Sequence, residues 1–297
     1  MPQMPSWRAI RGAWGRKRRA LRRRVLEPVL VGRPTLRDTV MHALAARGHL
    51  VFCDLGDVRF FVDPSDRVVG AWVMWHGGWQ RREIDRAVAV LTAAGRLAEN
   101  SVLVDVGANI GTHTVYAMRT GRFAHAVAFE PEPNNARLLA MNLQANGLEA
   151  STSVVQKAAG AQSGRAVLHL HPRNKGAHAL DAAPSMDGRD AVEVTVVRVD
   201  EELDRLGIGP ERIGLVWIDA EGYEPQVLQG LGGLLERAVP VAFEFAPHRY
   251  SAQTKRALVD LLARYYSSMH RLTAETDQCS GIEALADIDR VDDVLVF

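Results

Sequence analysis

The sequence predicts an α/β protein built on a parallel sheet with helices on both faces. Three observations carry this. From residue 102 onward, short β-branched apolar runs alternate with segments of helical character. The first of these runs passes directly into a turn that holds Asp105, Gly107, Asn109 and Gly111, as a buried strand does where backbone amides approach a ligand. The composition, 47% hydrophobic and 24% charged over 297 residues, suits one sizeable core with a small appendage.

Residues 1–34 read as a basic extension. Positions 1–24 hold nine Lys or Arg and no acid; with these removed from 36, the rest of the chain has 27 basic against 35 acidic residues. The body is acidic and its leader basic, which argues against general nucleic-acid binding. Trp7, Ile10, Trp14, Leu21 and Val25 recur at helical spacing beside the arginines. Over residues 7–26 this leaves three readings open: contact with an anionic membrane surface or polyanion, an extension without such a role, and contact with a partner protein. No run of about 18 apolar residues occurs, and the leader lacks the apolar segment of a secretory signal. Cys53 and Cys279 show neither a disulfide framework nor metal-ligand spacing, so cytoplasm, with a peripheral membrane contact as the variant, is the expected location.

Residues 35–98 read as an N-terminal cap. "LVFCDLGDVRFFVD" (50–63) suggests a hairpin about Gly56 and Asp57, and "REIDRAVAVLTAAGRL" suggests a helix with Ile84, Val88 and Leu91 on one face. Trp72, Trp75 and Trp79 cluster between them. They can pack the cap or stack on a ring-bearing ligand.

Residues 99–297 read as the main domain. Strand "VLVDVGA" leads to a helix from about Gly111, strand "AHAVAFE", a helix over 133–146 and a strand over 152–157. Pro133 suits a first helical turn and Asn146-Gly147 a helix stop. A hairpin-like insertion follows, with strands "AVLHLHP" and "AVEVTVVRVD" and a polar stretch at 172–190. Then come strand "IGLVWID", a helix from Tyr223 to about Arg237, strand "VPVAFEFAP", a helix over 252–265 and a terminal strand "DDVLVF", expected in the same sheet.

The turn after the first strand offers free amides and a positive helix end to an anionic group. It departs from the three-glycine dinucleotide fingerprint, with Asn109 standing where the left-handed backbone region favours Gly or Asn. The second strand ends in "AFEPEP", which places Glu130 where a carboxylate can take two ribose hydroxyls. The pair favours an adenosine ligand; capping of the turn by Asp105 and a plain strand-end role for Glu130 are the alternatives.

Together, "VDVGANIG", "FEPEP" and "WIDAEGYEPQVLQG" resemble the FkbM family of S-adenosylmethionine-dependent methyltransferases, over residues 80–250 at least. The resemblance implies the class I methyltransferase sheet, seven strands with the last antiparallel. It also implies O-methylation of a hydroxyl on a small molecule, a sugar or glycan, or a polyketide-type product. Asp105, Gly107, Asn109 and Gly111 would hold the methionine end of the cofactor and Glu130 its ribose, with Ala108, Thr112, Pro131, Lys157 and Ala158 as further cofactor-binding positions. Ala161 and Gln162 stand where the family often reads an acidic residue before glycine, and Trp217 where it commonly reads Lys.

Ligands of open α/β sheets sit beyond the carboxyl ends of the strands, which selects "WIDAEGYE" and "FEFAPH". Asp219, Glu221, Glu244 and His248 are the catalytic candidates, with Asp219 the foremost general base or orienting group. Glu224 reads as serving its helix start. Asp219, Glu221 and Glu244 also offer oxygen ligands to a divalent cation, although the reading without a metal is preferred. His113 reads as packing or surface, and His169, His171 and His178 as loop histidines, with His178 a candidate lid contact. The expected activity is O-methyl transfer. Methylation of nitrogen or RNA, and cofactor binding without catalysis by a membrane-associated partner, are the alternatives.

Overall fold

The computed structural model describes residues 34–180, 190–274 and 279–297. The basic stretch at 7–26 lies outside them. Among the described residues no helix is long and apolar enough to cross a membrane.

The cap begins with α1 (Pro34–Ala45) and the hairpin β1 (Val51–Asp54) and β2 (Arg59–Val62), antiparallel with Cys53 opposite Phe60. Gly56, at φ 106°, makes the expected turn. Then follow α2 (Val69–His76), which the aromatic cluster had concealed, and α3 (Arg81–Ala93). Ile84, Val88 and Leu91 of α3 are buried as their spacing predicts.

The main sheet begins with β3 (Ser101–Val106), α4 (Thr112–Arg119), β4 (Phe123–Phe129), α5 (Pro133–Asn146) and β5 (Thr152–Val155). The strand expected over 152–157 stops at Val155. Its continuation, β6 (Ala158–Ala159), joins β7 (Gly164–His169), β8 (Ala179–Leu180) and β9 (Ala191–Val197) in a separate sheet of order β6-β9-β7-β8. The insertion is therefore a hairpin, β7 against β9, widened by one short strand on each side.

The chain returns through α6 (Val199–Arg205) to β10 (Ile213–Ile218). The helix expected from Tyr223 to Arg237 is two pieces, α7 (Glu224–Gln229) and α8 (Gly233–Glu236). Gly232 separates them at φ 47°, ψ −116°, a conformation no helix contains and one that only glycine adopts without strain. β11 (Val241–Phe245), α9 (Ala252–Leu262), β12 (Ser268–Arg271), β13 (Cys279–Gly281) and β14 (Asp292–Val296) complete the chain.

The main sheet has the order β13-β12-β14-β11-β10-β3-β4-β5. β5, β4, β3, β10 and β11 run parallel, and β14 inserts antiparallel between β11 and β12. The expected terminal strand is therefore present and internal. The sheet carries eight strands rather than seven because β13 adds a short edge. Both faces of its central strands are buried: Val104, Val216 and Ile218 belong to one core, Leu103, Leu215 and Trp217 to the other. This two-sided burial is why these strands read as unbroken apolar runs.

One contact seats the cap. Asn142 and Asn146, four apart on α5, present their amides to the edge of β2. Phe61 N donates to Asn142 Oδ1 at 2.6 Å and Arg59 N to Asn146 Oδ1 at 3.0 Å, while the two Nδ2 atoms return to Phe61 and Arg59 carbonyls. Side chains on one helix face thus replace a neighbouring strand and fix the hairpin against α5.

Candidate active site

The loop after β3 is stitched to its neighbours by backbone bonds. Gly107 and Ala108 amides donate to the Phe129 carbonyl at 3.0 and 2.9 Å, and Asp219 N donates to Val106 O at 2.9 Å. Gly107 has φ 82°, and a Cβ there would lie 1.8 Å from the Asp219 carbonyl oxygen, so any side chain would drive the two strand ends apart. Asn109 adopts φ 51°, the left-handed conformation its residue type suggests.

Glu130, at the end of β4, clamps this loop. Its Oε2 accepts from Asn109 N and its Oε1 from Glu132 N, both at 2.8 Å. Burial raises its carboxyl to about 8 against the opposing pull of those amides. Glu132 caps α5 through Asn135 N at 2.7 Å.

Beyond these loops lie two adjoining cavities. The first is lined by Asn109, Glu130, Pro131, Asn135, Lys157 and Ala158, and the insertion closes it with Lys175, Gly176 and His178. Its open space is about 60 Å³. Three bonds hold the 172–178 strap: Arg67 N to Arg173 O at 2.8 Å, Lys175 N to Asp66 Oδ1 at 3.3 Å, and Asn135 Nδ2 to Lys175 O at 2.9 Å. His178 Nδ1 accepts from His171 N at 2.9 Å, and burial lowers its pKa to about 4, so the ring is neutral with Nε2–H as donor.

The second, inner cavity of about 200 Å³ is lined by Val68, Trp79, Thr112, His113 and Glu244, and shares Gly107, Asn109, Asp219 and Glu221 with the first. Its floor is acidic. Burial raises Asp219 well above the ordinary carboxylate range, with Glu244 and Glu221 adding repulsion. Burial likewise pushes Glu244 up to about 7 and raises Glu221, whose shift Arg249 opposes. Arg249 pairs with Glu221 and lies 3.9 Å from Glu244 Oε2. Asp219 Oδ1 and Glu244 Oε2 have no hydrogen-bond partner. Glu221 also stands at φ 53°, a strained backbone of the sort found at working sites.

A model of the methyltransferase FkbM domain matches residues 105–273, more than half of the chain. The chain belongs to the FkbM methyltransferase family. Methyltransferase sdnD of Sordaria araneosa is 30% identical over 160 residues, covering 46% of this chain and 62% of that protein. Methyltransferase 1 of Beauveria bassiana is 28% identical over 151 residues, covering 45% and 59%. The chain thus spans about three fifths of the length of these curated relatives. Among solved structures, precorrin-6y C5,15-methyltransferase from Geobacter metallireducens matches at 13% identity and a TM-score of 0.37, covering 70% of this chain and 86% of that one.

The residues present suit the S-adenosylmethionine that the FkbM family implies. Asn109 Oδ1 is buried without a hydrogen-bond partner where the two cavities meet, and the donor and acceptor set about it is that of a polar, cationic guest. Gly107, Asn109, Glu130, Pro131, Lys157 and Ala158 line the first cavity, and Ala108 and Thr112 the inner one.

Three expected residues lie elsewhere. Asp105 is fully buried beneath the loop, accepts a hydrogen bond from Thr114 Oγ1 and lines neither cavity; burial raises its pKa to about 6. Gly111 faces α5, where a Cβ would meet the Leu139 side chain at 2.6 Å, so it serves helix packing. His248 is exposed in a single turn over Pro247–Arg249 and lines neither cavity, because the chain leaves the sheet at Ala246.

Glu224 does serve its helix start: its carboxylate accepts from Ala220 N, Gly222 N and, at 2.6 Å, Tyr250 OH. Among the described residues, the three acids whose oxygens approach one another within 4.8 Å are Asp219, Glu224 and Glu244, rather than the trio with Glu221. His113 is buried and neutral, lowered to about 3 by burial, and lines the inner cavity beside Trp217. Gln80 joins it to the far strand: Gln80 Oε1 meets His113 Nε2 at 2.8 Å and Nε2 donates to Asp293 Oδ2 at 3.1 Å. Gln80, Asp293, Asn135 and Arg249 carried no sequence signal, since their roles arise from contacts across long stretches of chain.

Proposed function

We propose that this protein transfers a methyl group from S-adenosylmethionine to a hydroxyl of a small-molecule or glycan acceptor. One observation carries the reading: Asp219 lines both cavities and keeps Oδ1 without a partner at their junction, with Glu244 beside it. Bound in the first cavity, the cofactor supplies a methyl already activated on sulfonium.

The chain's own groups supply alignment and proton removal. Glu130 and the 107–111 loop position the donor. Asp219 Oδ1 accepts the acceptor's hydroxyl hydrogen and takes its proton as the acceptor oxygen bonds the methyl carbon and the carbon–sulfur bond breaks, its electron pair staying on sulfur. A raised pKa makes Asp219 the stronger base once ionised. Glu244 and Glu221 accept hydrogen bonds from further hydroxyls, which favours an acceptor rich in donors.

Calorimetric titration with S-adenosylmethionine and transfer of labelled methyl to a panel of polyols and amines test this reading. Expected results are saturable cofactor binding, weakened about tenfold or more by Glu130→Ala through loss of the two amide bonds that shape the loop, and label on acceptor oxygen. Absence of cofactor binding would overturn the reading, and label on nitrogen alone would move it to amines.

A further inference from the structure

A cavity of about 640 Å³ in the cap plays no part in the mechanism above. It lies between α1, α2 and the insertion strap, within the size range of small-molecule sites. Val68 lines both this outer cavity and the inner one. Trp79 of the inner cavity meets Trp72 of the outer one edge to face, with ring centroids 5.8 Å apart. An aromatic rail therefore runs from the acidic floor into the cap. Trp72 is 48% exposed, an indole left in water on the cavity wall although Val69, Val73 and Met74 of the same helix are buried.

The mouth of the outer cavity carries charge. Arg67 comes from the cap and Arg173 from the strap; a backbone bond joins them at 2.8 Å, and both residues line the cavity. Neither arginine makes an ion pair among the described residues. Asp66, also on this wall, is 2% exposed, and its carboxylate accepts from the amides of Val68, Gly70 and Lys175. Asp38 stands on α1.

We propose that the outer cavity seats the distal body of the acceptor: an apolar or aromatic ring system laid against Trp72, carrying an anionic group held by Arg67 and Arg173. The idea rests on the methyl-transfer reading, since the inner cavity would then hold the reacting hydroxyl. It assigns the acceptor an extended, amphipathic shape, with hydroxyls at one end and an acid at the other.

Two fluorescent probes separate the parts of the proposal. N-phenyl-1-naphthylamine and 8-anilino-1-naphthalenesulfonate share an aryl body and differ in a sulfonate. Titrated into the full chain, the sulfonate should bind about tenfold more tightly, a charge-assisted contact's worth. The double variant Arg67→Gln/Arg173→Gln should abolish that advantage and leave the neutral probe unchanged. Trp72→Ala should weaken both probes about fivefold through lost ring contact. Neither variant should alter affinity for S-adenosylhomocysteine. Equal binding of the two probes by the wild type, or sulfonate binding indifferent to both variants, would overturn the assignment. Expected probe behaviour in a chain that fails to bind S-adenosylhomocysteine would overturn methyl transfer instead and leave the ligand class of the cavity standing.

Discussion

Glu130 and Asp219 sit at the carboxyl ends of two strands that flank β3, about one loop apart, and their surroundings differ. Each oxygen of Glu130 already accepts a backbone amide, and both oxygens of Glu132 and of Glu224 are likewise hydrogen-bonded. Asp219 and Glu244 each keep an oxygen without a hydrogen bond and face like charges. A satisfied carboxylate fixes loops; an unsatisfied one among its own kind costs stability and is available for chemistry. On the proposed reading, the rim divides into a holding half on the β4 side and a reacting half on the β10–β11 side.

The sharpest way to break that division is Asp219→Asn. It preserves shape and removes the proposed base, so turnover should fall by roughly 10²–10⁴-fold. Cofactor affinity, read by calorimetry, should stay within about twofold because the holding half is untouched. Equal loss of cofactor binding would show that the two halves are one unit.

Gly107→Ala attacks the seam between the halves. The added Cβ meets a backbone oxygen at 1.8 Å and sits at positive φ, so the loop must shift. The cost should be about 3 kcal/mol or more, visible as a lowered melting temperature together with weaker cofactor binding. An unchanged melting curve would mean that the strand ends are not held together at this point.

Glu244→Gln tests the electrostatics of the reacting half. Folding raises this group from an ordinary 4.5 to about 7, so between those values the folded state binds more protons than the unfolded one. Its contribution is therefore most favourable below about pH 4.5, declines as pH rises through the window, and leaves a penalty above pH 7. The amide should stabilise the protein at pH 8 by on the order of 2 kcal/mol and change little at pH 4.5. A gain equal at both pH values would assign the effect to packing.

Local rules made much of this legible in the sequence. Buried runs marked β3, β4, β10 and β11, Pro133 and Gly147 bounded α5, and Asn109 and Glu224 adopt the roles their residue types suggest. Features set by distant partners were not. Asp105 and Gly111 belong to the loop pattern, yet one packs under it and the other against Leu139, a difference decided by tertiary neighbours. The Gln80–His113–Asp293 chain spans 213 residues of separation, and β12, "SMHR", becomes a strand only because β14 lies beside it. The break at Gly232 was visible as a glycine pair, but helical apolar spacing continued across it.

The smallest effect probes how far the loop's shape, as opposed to its chemistry, sustains the holding half. At φ 51°, Asn109 occupies a conformation that Gly adopts freely and Ala resists. If backbone shape is what matters, Asn109→Gly should leave cofactor affinity within about twofold and Asn109→Ala should cost about 1 kcal/mol, since the left-handed region penalises a β-carbon. If instead the side-chain Oδ1 receives the cofactor's ammonium, both variants should lose affinity alike, by several-fold. The buried, unpartnered Oδ1 favours the second outcome. Calorimetry on the two variants decides between them, and parallel losses would make Asn109 a binding group rather than only a turn former, drawing the holding half up to the edge of Asp219.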